Sequence, residues 1–237
     1  MSPTLLITRP EEDALRFADQ ARGVLGCAAP VVISPLLAIE PCAAPDPGDA
    51  ATLILTSRHA LHAAPPGMSA VVVGPRLADL AREAGLEVRL MAPDAATLLP
   101  RLLADPPPGP LLHLRGEHVA AHVARHLAEA GIPCAEAVVY TQPAQPLTAE
   151  ARALLARSGP VVVPLFSPRT GRLFFAQGPH ATPLVVVALS DAVAATCPET
   201  QNATMIVAAR PDAAALLAEL PRAWDVAKRV EGDMPPG

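Results

Sequence analysis

Val161-Val162-Val163-Pro164-Leu165-Phe166-Ser167-Pro168-Arg169 decides the fold. A short β-branched run that ends on a hydroxyl and a guanidinium, with a helical stretch behind it, reads as a buried parallel strand feeding a helix. The same order stands earlier as Leu53-Ile54-Leu55-Thr56-Ser57-Arg58. Each copy continues alike: Val71-Val72-Val73-Gly74 answers Val185-Val186-Val187-Ala188, and Asp94-Ala95-Ala96-Thr97-Leu98-Leu99 answers Asp212-Ala213-Ala214-Ala215-Leu216-Leu217. Two similar α/β units in one chain imply a ligand held between them, because such folds bind outside the carboxyl ends of their strands and at domain interfaces.

At 237 residues and 51% hydrophobic the chain has material for two cores of ordinary size. Proline is high at 29 but clusters between apolar segments, where it punctuates folded elements. A formal charge of −5 gives no support to nucleic-acid binding. Lys228 is the only lysine among 18 basic residues, so Schiff-base chemistry has essentially no candidate, whereas guanidinium groups for carboxylates are plentiful. Cys27, Cys42, Cys134 and Cys197 form no metal-type spacing and read as small buried residues in a reducing compartment. No basic, apolar leader precedes the first strand and the apolar runs are too short to span a bilayer, so a soluble cytoplasmic protein without membrane or nucleic-acid partners is expected.

Strands are expected at Leu5–Thr8, Val31–Ile33, Leu53–Thr56, Val71–Val73, Leu111–Leu114, Val138–Tyr140, Val161–Leu165, Leu184–Leu189 and Met205–Ala208, alternating with Ala/Leu-rich helices. Val119, Val123 and Leu127 predict a helix between Glu117 and Gly131. Pro-rich stretches at Pro35–Pro47 and Gln142–Pro146 read as two crossings, so that the middle unit is inserted in the other. The expected division is 1–36 with 147–237 for one domain, 41–137 for the inserted one, and 37–40 with 138–146 for the connecting segments. Residues after Trp224 read as an unordered polar tail.

The polar chemistry gathers where strands end. Thr8-Arg9-Pro10, Thr56-Ser57-Arg58, Arg115-Gly116, Ser167-Pro168-Arg169 and Ser190 each put hydroxyls, helix-start N–H groups or a guanidinium at a sheet's carboxyl edge. Any one serine there reads as an ordinary helix cap; five such ends, four with arginine, point to a shared anionic ligand.

Taken in order, Leu6-Ile7-Thr8-Arg9-Pro10, Leu55-Thr56-Ser57, Val73-Gly74, Leu114-Arg115-Gly116, Val139-Tyr140 and Phe166-Ser167-Pro168 give the chain a resemblance to uroporphyrinogen-III synthases that runs to about Leu220. The resemblance implies an α/β fold of two Rossmann- or flavodoxin-like domains with parallel sheets, one inserted in the other and joined by a two-stranded hinge. It also implies a cofactor-free, metal-free lyase that closes hydroxymethylbilane, a linear tetrapyrrole, to uroporphyrinogen III with inversion of ring D and loss of water, on the way to haem, sirohaem, cobalamin or chlorophyll. Its working form would be a monomer, in transient contact with the enzyme that makes the bilane. The rival reading is a catalytically inactive tetrapyrrole-binding or sensing protein of the same architecture.

Because loss of hydroxide makes the substrate reactive by itself, the enzyme's task is orientation and assisted departure. Tyr140, the only tyrosine, falls on the tyrosine that the family keeps, and the resemblance makes it the catalytic residue. A phenol keeps its proton at neutral pH and can donate to a leaving oxygen. Arg9, Thr56, Ser57, Arg58, Gly74, Arg115, Gly116, Ser167, Arg169 and Ser190 are the expected substrate-binding positions. The chain departs from the family at Leu77, where a threonine is usual, and at Leu189-Ser190-Asp191, where a glycine turn is common. His118, His122 and His126 recur every four residues and read as one solvated helix face, while Asp94 and Asp212 read as helix N-caps.

Overall fold

The structure, a computed structural model, describes residues 2–119, 122–198 and 202–232. The chain divides into two compact units, Met1–Ala38 with Ala144–Gly237, and Ile39–Pro143, so the second is an insertion in the first. It opens with β1 (Thr4–Ile7), α1 (Glu11–Leu25) and β2 (Val31–Ile33). The inserted unit comes next as β3 (Glu40–Pro41), β4 (Thr52–Leu55), a 3-10 turn Arg58–Ala63, β5 (Ser69–Val73), α2 (Pro75–Glu83), β6 (Glu87–Ala92), α3 (Ala95–Ala104), β7 (Leu111–Gly116), α4 (Val123–Glu129) and β8 (Cys134–Thr141). The chain then returns with α5 (Ala149–Leu155), β9 (Val161–Leu165), α6 (Pro168–Phe175), β10 (Leu184–Ala188), α7 (Asp191–Ala194), β11 (Ala203–Val207) and α8 (Ala213–Gly232).

The first sheet runs β11-β10-β9-β1-β2 with every pair parallel. Its strands are apolar throughout because both faces are covered. Leu5, Ile7 and Val162 pack with Phe17 of α1 and Leu216 and Trp224 of α8, while Leu6, Val161 and Val163 pack with Leu154, Leu155 and Phe174 on the other face. The second sheet runs β3-β8-β7-β4-β5-β6, parallel except for the antiparallel β3. Leu53, Leu55 and Leu112 face Ala60, Ala78 and Ala81, and Ile54 and Leu111 face Leu98, Leu102 and Leu127. In each sheet the strand order reverses once, between β1 and β9 in the first and between β4 and β7 in the second. A crevice for ligands opens outside the carboxyl ends at such a reversal.

The chain passes between the units at Ala38–Ile39 and at Pro143–Ala144. Leu37 pairs with Ala144 in the first unit, and Glu40 with Thr141 and Pro41 with Tyr140 in the second, all antiparallel. Val138–Thr141, read from sequence as part of the connection, are the last four residues of β8.

Three sequence expectations are corrected. The helix expected from Glu117 begins only at Val123, with His122 as its non-helical N-cap, and Ala120 and Ala121 lie outside the described residues. His118 and His122 therefore do not share a helix face with His126. Of the polar tail expected after Trp224, residues 225–232 are the last two turns of α8, which runs to Gly232 because Ala223, Trp224 and Ala227 seat it on the first sheet, and residues 233–237 lie outside the described residues. Cys27 is exposed and the other cysteines are half-buried.

Candidate active site

The inserted unit's strand reversal collects most of the expected residues. β4 delivers Thr56 and then Ser57, whose extended backbone starts the 3-10 turn and whose Oγ accepts from the His59 N–H at 3.3 Å. That bond uses an oxygen lone pair and leaves the Ser57 O–H able to donate. Arg58 comes next as the first residue of the turn, and all three are half-buried. On the neighbouring strand, β7 ends on Arg115 and Gly116. Arg115 donates through Nη1 to the carbonyls of Gly116 at 2.9 Å and Glu117 at 3.3 Å, and through Nη2 to Glu136 Oε1 of β8 at 2.7 Å. That hydrogen bond holds the Glu136 carboxyl below the usual carboxylate range. Arg115 is thus anchored inside its own sheet, with part of its donor set already engaged.

Tyr140 lies at the same edge, one residue from the end of β8, and is 6% exposed. A bulge in the β7–β8 register brings Gly116 opposite Tyr140, and the Glu117 N–H donates to the Tyr140 carbonyl at 3.0 Å. The phenol ring crosses Gly116 so closely that a Cβ there would stand 2.5 Å from Cζ, 2.6 Å from Cε2 and 2.8 Å from Oη. Glycine at 116 is therefore what lets the phenol occupy the carboxyl edge. The His59 ring meets Tyr140 edge-on at 5.6 Å. Gly74, at the end of β5, has φ +85° and caps α2, a conformation that selects glycine. Its own N–H donates to the Ala92 carbonyl at 2.7 Å, so any donors it presents belong to the helix start behind it. Leu77 turns into the core in the first turn of α2 and brings no hydroxyl.

The first unit gathers its own set at the β1/β9 reversal. Arg9, just after β1, lies 4.1 Å above the Phe166 ring and 3.6 Å from the Asp13 carboxylate, so stacking and charge orient its half-buried guanidinium. Ser167 caps α6, its Oγ accepting from the Thr170 N–H at 3.1 Å, and Arg169 sits in the first turn. Ser190 is the N-cap residue of α7, yet its side chain makes no capping bond. The structure thus brings Arg9, Ser167, Arg169 and Ser190 to one sheet's carboxyl edge and Thr56, Ser57, Arg58, Gly74, Arg115, Gly116 and Tyr140 to the other's.

Sequence reasoning missed His113. It lies inside β7, 1% exposed, with Nε2 3.3 Å from Thr56 Oγ1. Burial pushes its pKa down to about 4. The signal was a lone polar residue in Leu111-Leu112-His113-Leu114, a strand buried on both faces. Asp94 and Asp212 do cap α3 and α8, accepting from the N–H groups of Thr97 and Ala215. No group of three His, Cys, Asp or Glu among the described residues is placed to hold a metal.

A model of the family described as uroporphyrinogen-III synthase HemD matches residues 25–218. The chain belongs to the uroporphyrinogen-III synthase family. As a uroporphyrinogen-III synthase it is a lyase of tetrapyrrole synthesis, closing hydroxymethylbilane to uroporphyrinogen III with inversion of ring D and loss of water. The fold agrees with solved synthases. The uroporphyrinogen-III synthetase of Helicobacter pylori is 16% identical, with a TM-score of 0.67 over 93% of this chain and 99% of that one. A mutant uroporphyrinogen III synthase of Thermus thermophilus is 14% identical, with a TM-score of 0.52 over 94% and 99%. No curated protein matches the chain. Among the described residues no helix is long and apolar enough to cross a membrane.

Proposed function

We propose that Tyr140 is the acid of the synthase reaction, donating its phenolic proton to the hydroxyl that leaves hydroxymethylbilane. The observation that carries this reading is the fit of the phenol over Gly116 at the β4/β7 reversal, where a side chain at 116 would displace it. A buried phenol that lies across a glycine loses little freedom when the leaving oxygen arrives. Arg9, Thr56, Ser57, Arg58, Ser167, Arg169 and Ser190 then hold substrate carboxylates through guanidinium and hydroxyl groups, helped by N–H groups at the helix starts behind Gly74 and Ser190. Arg115 contributes by fixing the loop after β7 through the Gly116 and Glu117 carbonyls. Many shared contacts make each one individually modest. No metal or cofactor enters this reading, and a cytoplasmic monomer that meets the bilane-forming enzyme transiently completes it.

The test is to generate hydroxymethylbilane in the presence of the protein, oxidise the products and separate the type I and type III isomers. Type III product from the wild type, with turnover lost and substrate affinity kept in Tyr140→Phe, is the expected result. A Tyr140→Phe variant with wild-type turnover sinks the assignment.

A further inference from the structure

We infer that His113 is a positioning residue for Thr56, fixing the hydroxyl so that its proton points outward to a substrate carboxylate. The inference rests on the reading of Thr56 as a carboxylate-holding residue. His113 is too deeply buried to touch substrate, whereas Thr56 is half-buried at the strand end. The contact between them, 3.3 Å from Nε2 to Oγ1, is the link from the interior of the sheet to its edge.

The direction of that hydrogen bond is set by the other ring nitrogen. Nδ1 is buried and has no hydrogen-bond partner among the described residues. A neutral imidazole carries one N–H, and a buried unpaired donor costs more than a buried unpaired lone pair. The proton therefore belongs on Nε2, which donates to Thr56 Oγ1. The threonine oxygen becomes an acceptor on its inner side, and its own hydrogen turns to the side where an acceptor can arrive. A carboxylate is the acceptor that this arrangement suits.

The surroundings hold the imidazole in that neutral form. Burial pushes its pKa down, Arg115 two residues along the strand acts in the same sense, and Glu136 opposite on β8 acts against them. Because Glu136 is itself paired with Arg115 at 2.7 Å, its pull on the imidazole is weakened.

The fold does not need a histidine here. Thr52 aligns with Leu111 and Ser69 in the second sheet as Val161 aligns with Thr4 and Leu184 in the first, which makes Leu6 the counterpart of His113. Leu6 is fully buried and packs with Val161, Val163 and Phe174. An apolar side chain thus serves the same strand position in the same sheet order, and the polar one in the inserted unit calls for a reason beyond packing.

A double-mutant cycle tests the assignment, with KM and turnover for type III product as readouts and thermal unfolding as the folding control. Thr56→Val and His113→Leu are each expected to raise KM roughly fivefold with turnover nearly kept, the size of one lost hydrogen bond. The double variant should resemble Thr56→Val alone, since removing the hydroxyl leaves nothing for the histidine to orient. His113→Gln, whose amide N–H reaches about where Nε2 stands, should restore the wild-type KM. His113→Asn, one bond shorter, should not, and the Gln/Asn contrast decides the matter should the leucine variant fail to fold. A wild-type KM in Thr56→Val overturns the role of Thr56 on which the inference rests. A weakened Thr56→Val combined with a silent His113→Leu, or with losses that multiply in the double variant, overturns the inference alone.

Discussion

The two units contain the same sheet drawn with different chain orders. Starting from β9 and continuing from α8 to β1 as if the ends were joined, the first unit reads strand for strand like the run from β4 to β8, and both give the same spatial order. One unit is a circular permutation of the other, apart from the added antiparallel β3. Corresponding strand ends carry corresponding groups: Ser57 and Ser167 cap the helical turns after β4 and β9, and Gly74 and Ser190 stand at the N-caps of the helices after β5 and β10. The units differ deeper in. The first carries leucine where the inserted unit has His113, and only the inserted unit has a phenol across a glycine at its edge. A shared scaffold with unequal polar content separates the demands of folding from those of the chemistry.

Removing the phenol is the hardest blow to that asymmetry. Tyr140→Phe is expected to cut turnover by on the order of a hundredfold with affinity nearly unchanged, measured as the rate of type III isomer formation. Gly116→Ala attacks the same point from the other strand. Its methyl group must push the ring aside, and turnover should fall on the order of tenfold while the protein stays folded. Because Tyr140 is the only tyrosine in the chain, its near-ultraviolet signal should move as well.

The buried histidine gives the inserted unit an acid sensitivity that its leucine counterpart lacks. His113 titrates near 4 in the folded protein against an ordinary 6.5, so the unfolded chain binds the proton first as pH falls. Stability is held above about pH 6.5 and declines below it by up to ~1.4 kcal/mol per pH unit until the folded form titrates too. Urea melts at pH 7 and pH 5 should show this loss in the wild type and a smaller one in His113→Leu. The smallest contrast lies within the first unit. Ser167→Ala removes a formed cap and should cost about 1 kcal/mol, whereas Ser190→Ala removes none and should leave stability unchanged while raising KM slightly.

Much of this was legible because parallel strands buried on both faces leave an unmistakable apolar run, as at Val161–Val163 and Leu53–Leu55. β6 was missed for the opposite reason. Glu87-Val88-Arg89-Leu90-Met91 lies at a sheet edge and alternates exposed and half-buried positions, so it lacks a continuous apolar run. The helix read from Val119 was over-extended because a period of four in sequence does not reveal that the backbone at His122 is still non-helical. Gly116 was recognised for its place at a strand end, but its physical reason, a ring belonging to the neighbouring strand, depends on a register bulge that no local pattern encodes. His113 was hidden by its strand, whose neighbours say only that the position is interior.

The insertion also sets a timetable for synthesis. β1 finds β2 early, but about 150 residues separate it from β9, its other neighbour, so at ~5–20 residues per second that edge waits on the order of ten to thirty seconds. The last strand of the inserted unit, β8, precedes β9 by about one to four seconds at that rate. Nascent chains arrested soon after Pro143 emerges should therefore carry a protease-resistant inserted unit with an open amino-terminal arm. In that arm α1 and β2 already stand beside β1, but Leu6 still lacks the cover that Leu154, Leu155 and Phe174 give it, and it is there that a chaperone has something to hold.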